Sequence, residues 1–271
     1  MEAYNQKQKI IEHYDFLSPY YNSLWGEHLH HGYWITGKES KEEAQLALTK
    51  YLAETASIKT GSKILDIGCG MGASSIYLAK SYQAITTGIT ISPIQVEMAQ
   101  KSAQKVGVSS QFIVMDAEKI SFEDSFDVLW SIESISHYQD KKKFFNRSIK
   151  FLSPGGKVAL IDWFKKENIT EEENKKYITP IEKGMLVQLH SMNDYISILE
   201  SEKIKIIKLE NISQNTAKTW DLSLEIIKNK MLWQLAIKSS KDFLNFLKSF
   251  KAMKNGFSSG NFVYGLIIAQ K

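Results

Sequence analysis

Residues 63–72, KILDIGCGMG, restrict what this chain can become more than any other stretch. Lys63 to Ile67 have the short, apolar character of a buried strand, and glycines follow at Gly68, Gly70 and Gly72. Glycines this closely spaced let backbone approach a ligand where a Cβ would clash. Ser74 to Tyr82 then reads as a helix that packs back on the sheet, which gathers backbone N–H groups at a helix N-terminus and makes a seat for an anionic group. The spacing is G-x-G-x-G, not the G-x-G-x-x-G of dinucleotide sites. An acidic residue, Asp66, stands in the strand end just ahead of the glycines. A carboxylate there repels a pyrophosphate but accepts hydrogen bonds from an ammonium group. The combination fits the methionine end of S-adenosylmethionine (SAM) and argues against a nicotinamide dehydrogenase.

Strands and helices alternate on both sides of this motif. Residues 5–17 carry a weak helical pattern, and residues 16–34, FLSPYYNSLWGEHLHHGYW, are dense in aromatics and histidines. Ser40 and Glu43 form a capping box ahead of an amphipathic helix over Ala44 to Ala56. Strands are expected at 84–92, 111–115, 126–132 and 157–164, with helices at 93–106 and 141–152 and a Ser-Pro-Gly-Gly turn at 153–156. Such alternation builds a parallel sheet with helices on both faces. Beyond Phe164 the texture changes. Thr170 and Glu173 make a second capping box, and helices are expected at 181–190 and 193–202. A strand follows at 203–209, two amphipathic helices span 217–254, and the chain closes in the strand Phe262 to Ala269.

Composition narrows the function. Arg147 is the only arginine among 34 Lys and Arg residues, and arginine's bidentate fork is what phosphate and base-edge recognition favours, so a nucleic-acid enzyme is disfavoured. The single cysteine, Cys69, excludes an intrachain disulfide or a cysteine-built zinc site and reads as a small buried residue beside the glycines. No stretch has the length and apolarity of a membrane span or a secretory signal, so the expectation is a cytoplasmic protein.

At these residues the chain resembles the class I SAM-dependent methyltransferases, and more closely the γ-tocopherol C-methyltransferase-like group. ILDIGCGMG, GITISPIQ (88–95), FDVLWSIESISH (126–137) and LSPGGKVALIDW (152–163) resemble the group's successive motifs, and EHLHHGYW (27–34) resembles its N-terminal signature. The resemblance covers nearly the whole chain. It implies a Rossmann-like α/β fold, a seven-stranded sheet of order 3-2-1-4-5-7-6 with the seventh strand antiparallel, and a helical lid. In one domain over 1–271, residues 1–42 would form an N-terminal flap, 43–164 the SAM-binding core, 165–260 the substrate lid around strand 203–209, and 261–271 the final strand.

Roles follow residue by residue. Asp66, Gly68 and Gly70 should hold the methionine part of SAM. The second strand lacks the carboxylate that commonly grips ribose hydroxyls. The resemblance implies that Thr90, beside Ile91 and with Gln95, takes that role through neutral hydrogen bonds. Asp116 and Ala117 end the third strand, where the adenine usually sits, and Ile132 ends the fourth beside the sulfonium. Trp130 reads as core. Tyr14, Tyr33 and Trp34 should contact SAM from the flap. His28, His30 and His31 lack the partners of a metal site, and none is assigned. His137, on the loop after the fourth strand, is the candidate base, with Glu133 as its rival or orienting partner. Trp25, His28, Trp163, Met231 and Leu235 are assigned to the acceptor. The expected activity is methyl transfer from SAM, which leaves S-adenosylhomocysteine (SAH), to carbon or nitrogen of an apolar or aromatic small molecule. A sugar or phenol O-methyltransferase is the alternative, and a non-catalytic SAM-binding regulatory protein the alternative of another class. Lysines on the lid's other face, among them Lys228, Lys230 and Lys248, permit contact with an anionic membrane surface.

Overall fold

The computed structural model describes residues 2–230, 232–234 and 241–271. Its centre is a seven-stranded sheet built from β1 (Lys63–Ile67), β2 (Ile85–Thr90), β3 (Ser110–Val114), β4 (Phe126–Ile132), β5 (Leu152–Lys165), β6 (Lys205–Asn211) and β7 (Phe262–Gln270). The order is 3-2-1-4-5-7-6, with β7 antiparallel to both of its neighbours. This is the expected sheet. β1, β4 and β5 are apolar on both faces because helices cover both, as parallel strands require.

The helices are α1 (Glu2–Leu24), α2 (Lys41–Ala56), α3 (Ala73–Tyr82), α4 (Pro93–Val106) and α5 (Lys141–Ser148) in the first half. In the second half come α6 (Thr179–Met185), α7 (Met192–Ser201), α8 (Lys218–Ile226) and α9 (Lys241–Ser258). Both expected capping boxes form. Ser40 exchanges hydrogen bonds with Glu43, and Thr170 with Glu173. Local chemistry also stops the helices where it should, with Gly107 in the left-handed region after α4.

Three boundaries differ from expectation. The weak pattern at 5–17 extends into a 23-residue helix that runs through Pro19. Proline removes an intrahelical hydrogen bond, and long-range ties from Lys7, Tyr14 and Asp15 hold this helix in place. The helix expected at 181–190 ends at Met185, because Leu186 turns left-handed at φ 55°. Residues 186–190 are instead pinned as a loop. Gln188 N–H donates to Ser136 O at 2.8 Å, and the buried Lys141 ammonium donates to Tyr138 O and Gln188 O. The turn at 153–156 is absorbed into β5, with a register shift opposite Phe126 and Val128. Winding reverses between β1 and β4, and open α/β sheets bind ligands at the carboxyl ends of strands at such a point.

Candidate functional site

A cavity of about 760 Å³ opens at that point. The glycine loop forms its floor. Gly68 and Gly70 have φ of 77° and 52°, backbone that side-chain-bearing residues rarely adopt. A Cβ on Gly68 would lie 1.9 Å from Ser134 Oγ, so this glycine lets the loop pack under the end of β4. A Cβ on Gly70 would meet only Leu29 Cδ1, at 3.5 Å, so this glycine leaves space on the cavity side. Asp66 is 2 % exposed, and its carboxylate accepts from the Ser75 hydroxyl at 2.6 Å. Burial pushes its pKa up to about 7, against the opposing pull of Ser75. A buried carboxyl on a cavity wall with one hydroxyl partner is suited to an incoming ammonium group. The residues present therefore fit the amino-acid end of SAM.

At the next strand ends, Thr90 Oγ1 donates to Gln95 Oε1 at 2.7 Å, a neutral pair that lines the cavity together with Ile91. Asp116 and Ala117 line it beyond β3. Both oxygens of Asp116 already have protein partners. Oδ1 caps the following turn by accepting from Glu118 N–H, and Oδ2 lies 2.8 Å from Lys7 Nζ. Ile132 lines the wall at the end of β4, whereas Trp130 is wholly buried in the core.

The cover over this floor is α1 itself. Lys7 bridges Asp116 and Glu118, Asp15 accepts from the Ser92 hydroxyl, and Tyr14 OH lies 3.2 Å from His137 Nε2. These ties join one helix to the loops after β3, β2 and β4. The segment after α1 is pegged to α2, where Gln45 Nε2 donates to His28 O and His30 O. His28 Nδ1 lies 3.0 Å from His30 Nε2, and burial lowers the pKa of both rings, so neutral imidazoles hold each other. No cluster of metal-ligating side chains occurs among the described residues.

Two flap residues stand apart from the cavity and are removed from the cofactor assignment. The Tyr33 ring stacks on Tyr51 at 4.5 Å. Trp34 is buried against α2 and the start of α8, and its Nε1–H donates to Glu39 O. Local bonding holds the segment here, with Gly32 N–H donating to Thr219 Oγ1 and Tyr33 N–H to Ala44 O. Tyr14, Trp25, His28 and Trp163 do line the cavity. Met231 and Leu235 lie outside the described residues.

His137 lines the cavity, but both of its nitrogens are engaged. Leu186 O can only accept, so Nδ1–H donates to it, and Nε2 is left to accept from Tyr14 OH. Burial lowers the His137 pKa to about 4. A ring fixed this way holds α1 and the 186–190 loop together, and the expected base is a tether in this arrangement. Glu133 takes a different part. It sits at φ 53°, and its Oε1 accepts from His31 N–H, His31 Nδ1–H and Tyr264 OH. Burial would raise its pKa, but electrostatic attraction to the His31 ring and the hydrogen bond from it, with lesser contributions from His30 and Tyr264, hold it below the usual range. Sequence reasoning passed over His31 as part of a histidine cluster and left Tyr264 unremarked within the final strand. The available signal was a hydroxyl-bearing ring in an otherwise apolar final strand.

The upper wall is apolar. Leu17 packs with Leu232, Phe243, Phe246 and Leu247, and Trp163 and Trp220 close the side nearest β5 and β7. Among the described residues no helix is long and apolar enough to cross a membrane.

Comparison with known proteins agrees with the geometry. The profile described as mycolic acid cyclopropane synthetase matches residues 2–263. The tocopherol O-methyltransferase of Arabidopsis thaliana is 29 % identical over 292 residues, which cover 98 % of this chain and 82 % of that protein. The 27-O-demethylrifamycin SV methyltransferase of Amycolatopsis mediterranei is 34 % identical over 221 residues, which cover 80 % of this chain and 81 % of that one. Among solved structures, the cyclase SpnF superposes with a TM-score of 0.85 at 23 % identity, covering 97 % of this chain and 95 % of that one. A mycolic acid cyclopropane synthase complexed with SAH and CTAB gives 0.79 at 18 % identity, covering 89 % of each chain, and at such identities the likeness speaks to the fold. The chain belongs to the mycolic acid cyclopropane synthetase family and is a SAM-dependent methyltransferase.

Proposed function

We propose that this methyltransferase acts on carbon or nitrogen of an apolar, aromatic small molecule. The observation that carries this reading is the wall opposite the glycine loop. Leu17, Leu232, Phe243, Phe246 and Leu247 present hydrocarbon to the cavity, and Trp163 and Trp220 present indole rings. A volume of about 760 Å³ lies inside the range of about 300–1,000 Å³ typical of small-molecule sites. A glycoside would require several donors and acceptors on that wall, since buried hydroxyls without partners cost free energy. The relatives whose names include tocopherol and rifamycin support a natural-product acceptor.

When bound, SAM supplies a methyl group on a positively charged sulfur, an electrophile that needs no further activation. The chain's own work is then binding, alignment and exclusion of water. Asp66 is placed to hold the ammonium group. Thr90 and Gln95 are placed for the ribose. The α1 cover, tied through Lys7, Tyr14 and Asp15, shields part of the site from solvent. The test is a thermal-shift screen of SAH-loaded protein against prenylated phenols, indoles and glycosides, followed by turnover with the stabilising compounds. Stabilisation by prenylated phenols or indoles is the expected result. Stabilisation by glycosides alone would refute the apolar reading.

A further inference from the structure

Four buried rings meet where β4 and β5 end and β7 begins. The His31 imidazole stacks on Tyr264 with ring centroids 4.5 Å apart and meets the Trp220 ring edge-on at 4.6 Å, with Trp163 at 6.0 Å. His31 is 3 % exposed and lines the cavity. Its position is fixed twice by one oxygen. Glu133 Oε1 accepts from the His31 backbone N–H at 2.7 Å and from Nδ1–H at 2.8 Å. Tyr264 OH donates to the same oxygen and steadies the carboxylate. A carboxylate can only accept, so Nδ1 carries a hydrogen, and in the uncharged form of the ring Nε2 carries the lone pair. That Nε2 is buried and has no hydrogen-bond partner. The indole N–H groups of Trp163 and Trp220 beside it are also buried and unpartnered. Buried polar groups are nearly always satisfied, so three orphans around one wall of a ligand cavity point to a ligand that satisfies them.

We propose that His31 is the base of this enzyme, and that the acceptor carries a hydroxyl or N–H hydrogen that donates to His31 Nε2. The acceptor's nucleophilic atom forms the bond to the methyl carbon. The carbon–sulfur bond breaks with its electron pair going to sulfur, and the acceptor's proton goes to Nε2. Glu133 then faces an imidazolium whose charge it balances, with Tyr264 and Glu133 as positioning residues. This assigns to His31 the part for which His137, bonded through both nitrogens, has no free atom. It also narrows the acceptor to an apolar molecule with one protic group near the reacting atom, a phenol or an aromatic amine.

The inference rests on the apolar-acceptor reading, and a matched ligand pair separates the two. The probes are 4-hexylphenol and 4-hexylanisole, with equal chains and only the phenol protic, titrated into SAH-loaded enzyme by calorimetry. Wild type is expected to prefer the phenol by about 5- to 150-fold, the range for a buried group that gains its missing partner. His31→Asn keeps a donor for Glu133 and lacks the Nε2 acceptor. His31→Phe keeps a ring on Tyr264 and lacks both nitrogens. Both variants should lose the phenol preference, keep SAH affinity, and transfer methyl to the best acceptor about 10²–10⁴-fold more slowly. Equal binding of the two probes by wild type would overturn the His31 assignment and leave the apolar pocket standing. Binding of neither probe would overturn the apolar reading and this inference with it. Loss of the preference at a wild-type rate of transfer would make His31 a positioning residue and refute its role as base.

Discussion

If Asp66 holds the ammonium group as proposed, cofactor binding is coupled to loss of a proton. Burial raises its pKa from 3.8 to about 7, and the Ser75 hydroxyl at 2.6 Å only partly opposes this. In the ligand-free protein at pH 6, one unit below that value, about nine-tenths of the carboxyl groups are protonated. An ammonium group beside the carboxyl favours the ionised form. Binding at pH 6 should therefore release close to one proton, and SAH affinity should weaken up to about tenfold for each pH unit below 7. The same shift acts on folding. Between about 4 and 7 the native state binds a proton that the unfolded chain does not, so ligand-free stability falls as pH rises through that window, by up to about 1.4 kcal/mol per unit. Calorimetry of SAH binding from pH 5.5 to 7, in buffers of differing ionisation enthalpy, counts the protons. Asp66→Asn should abolish the release and lower affinity by roughly 10- to 150-fold, the worth of a charge-assisted hydrogen bond. Proton release that does not change with pH, or that persists in Asp66→Asn, would refute the assignment of Asp66 to the ammonium.

Other substitutions separate the parts of the site. Gly68→Ala forces a Cβ to within 1.9 Å of Ser134 Oγ at a left-handed φ and should cost about 1–3 kcal/mol of stability, read as a lower Tm. Gly70→Ala meets only Leu29 and should cost less stability, about 1 kcal/mol, while weakening SAH binding measured by calorimetry. His137→Ala breaks the ties to Tyr14 and Leu186, so it should weaken SAH affinity by roughly 2- to 10-fold and lower the transfer rate less than His31→Asn does, as a rate and affinity comparison of the two variants will show. Lys7→Met removes both ion pairs from α1 to the end of β3 and should speed limited proteolysis within residues 2–24 by about fivefold, an effect that saturating SAH suppresses.

The parts of this site that lie within one loop were legible in the sequence. Asp66 with Gly68 and Gly70, or Thr90 with Gln95, are close neighbours along the chain, and the strand that precedes each pair fixes where it points. The sheet order followed from the resemblance, and the antiparallel β7 follows its strand register. What sequence could not give was pairing across long separations. His31 and Glu133 are 102 residues apart, and Glu133 and Tyr264 are 131 apart. Nothing local marks those three as one unit. His137 lies after β4 on the cavity as expected, and its bond to Leu186 was not legible because Leu186 sits on a loop that the periodicity had assigned to helix. Tyr33 and Trp34 were misplaced because an aromatic beside a flap serves equally well as packing for α2.

The assigned roles divide at the switch point of the sheet. The groups assigned here to the cofactor come from the ends of β1, β2 and β3 and from α1, which ties to the loops after β2 and β3. The groups assigned here to the acceptor come from β4, β5, β7, α8 and α9 and from Leu17 of α1, with His31 joined to them through Glu133 and Tyr264. α1 and the end of β4 serve both halves. At the end of β4, Ser134 packs beneath Gly68, and its neighbour Glu133 holds His31. A change of acceptor therefore requires new side chains on the aromatic wall and leaves the glycine loop untouched. Any substitution that shifts Ser134, by contrast, reaches both the backbone beneath the cofactor and the carboxylate that orients the proposed base.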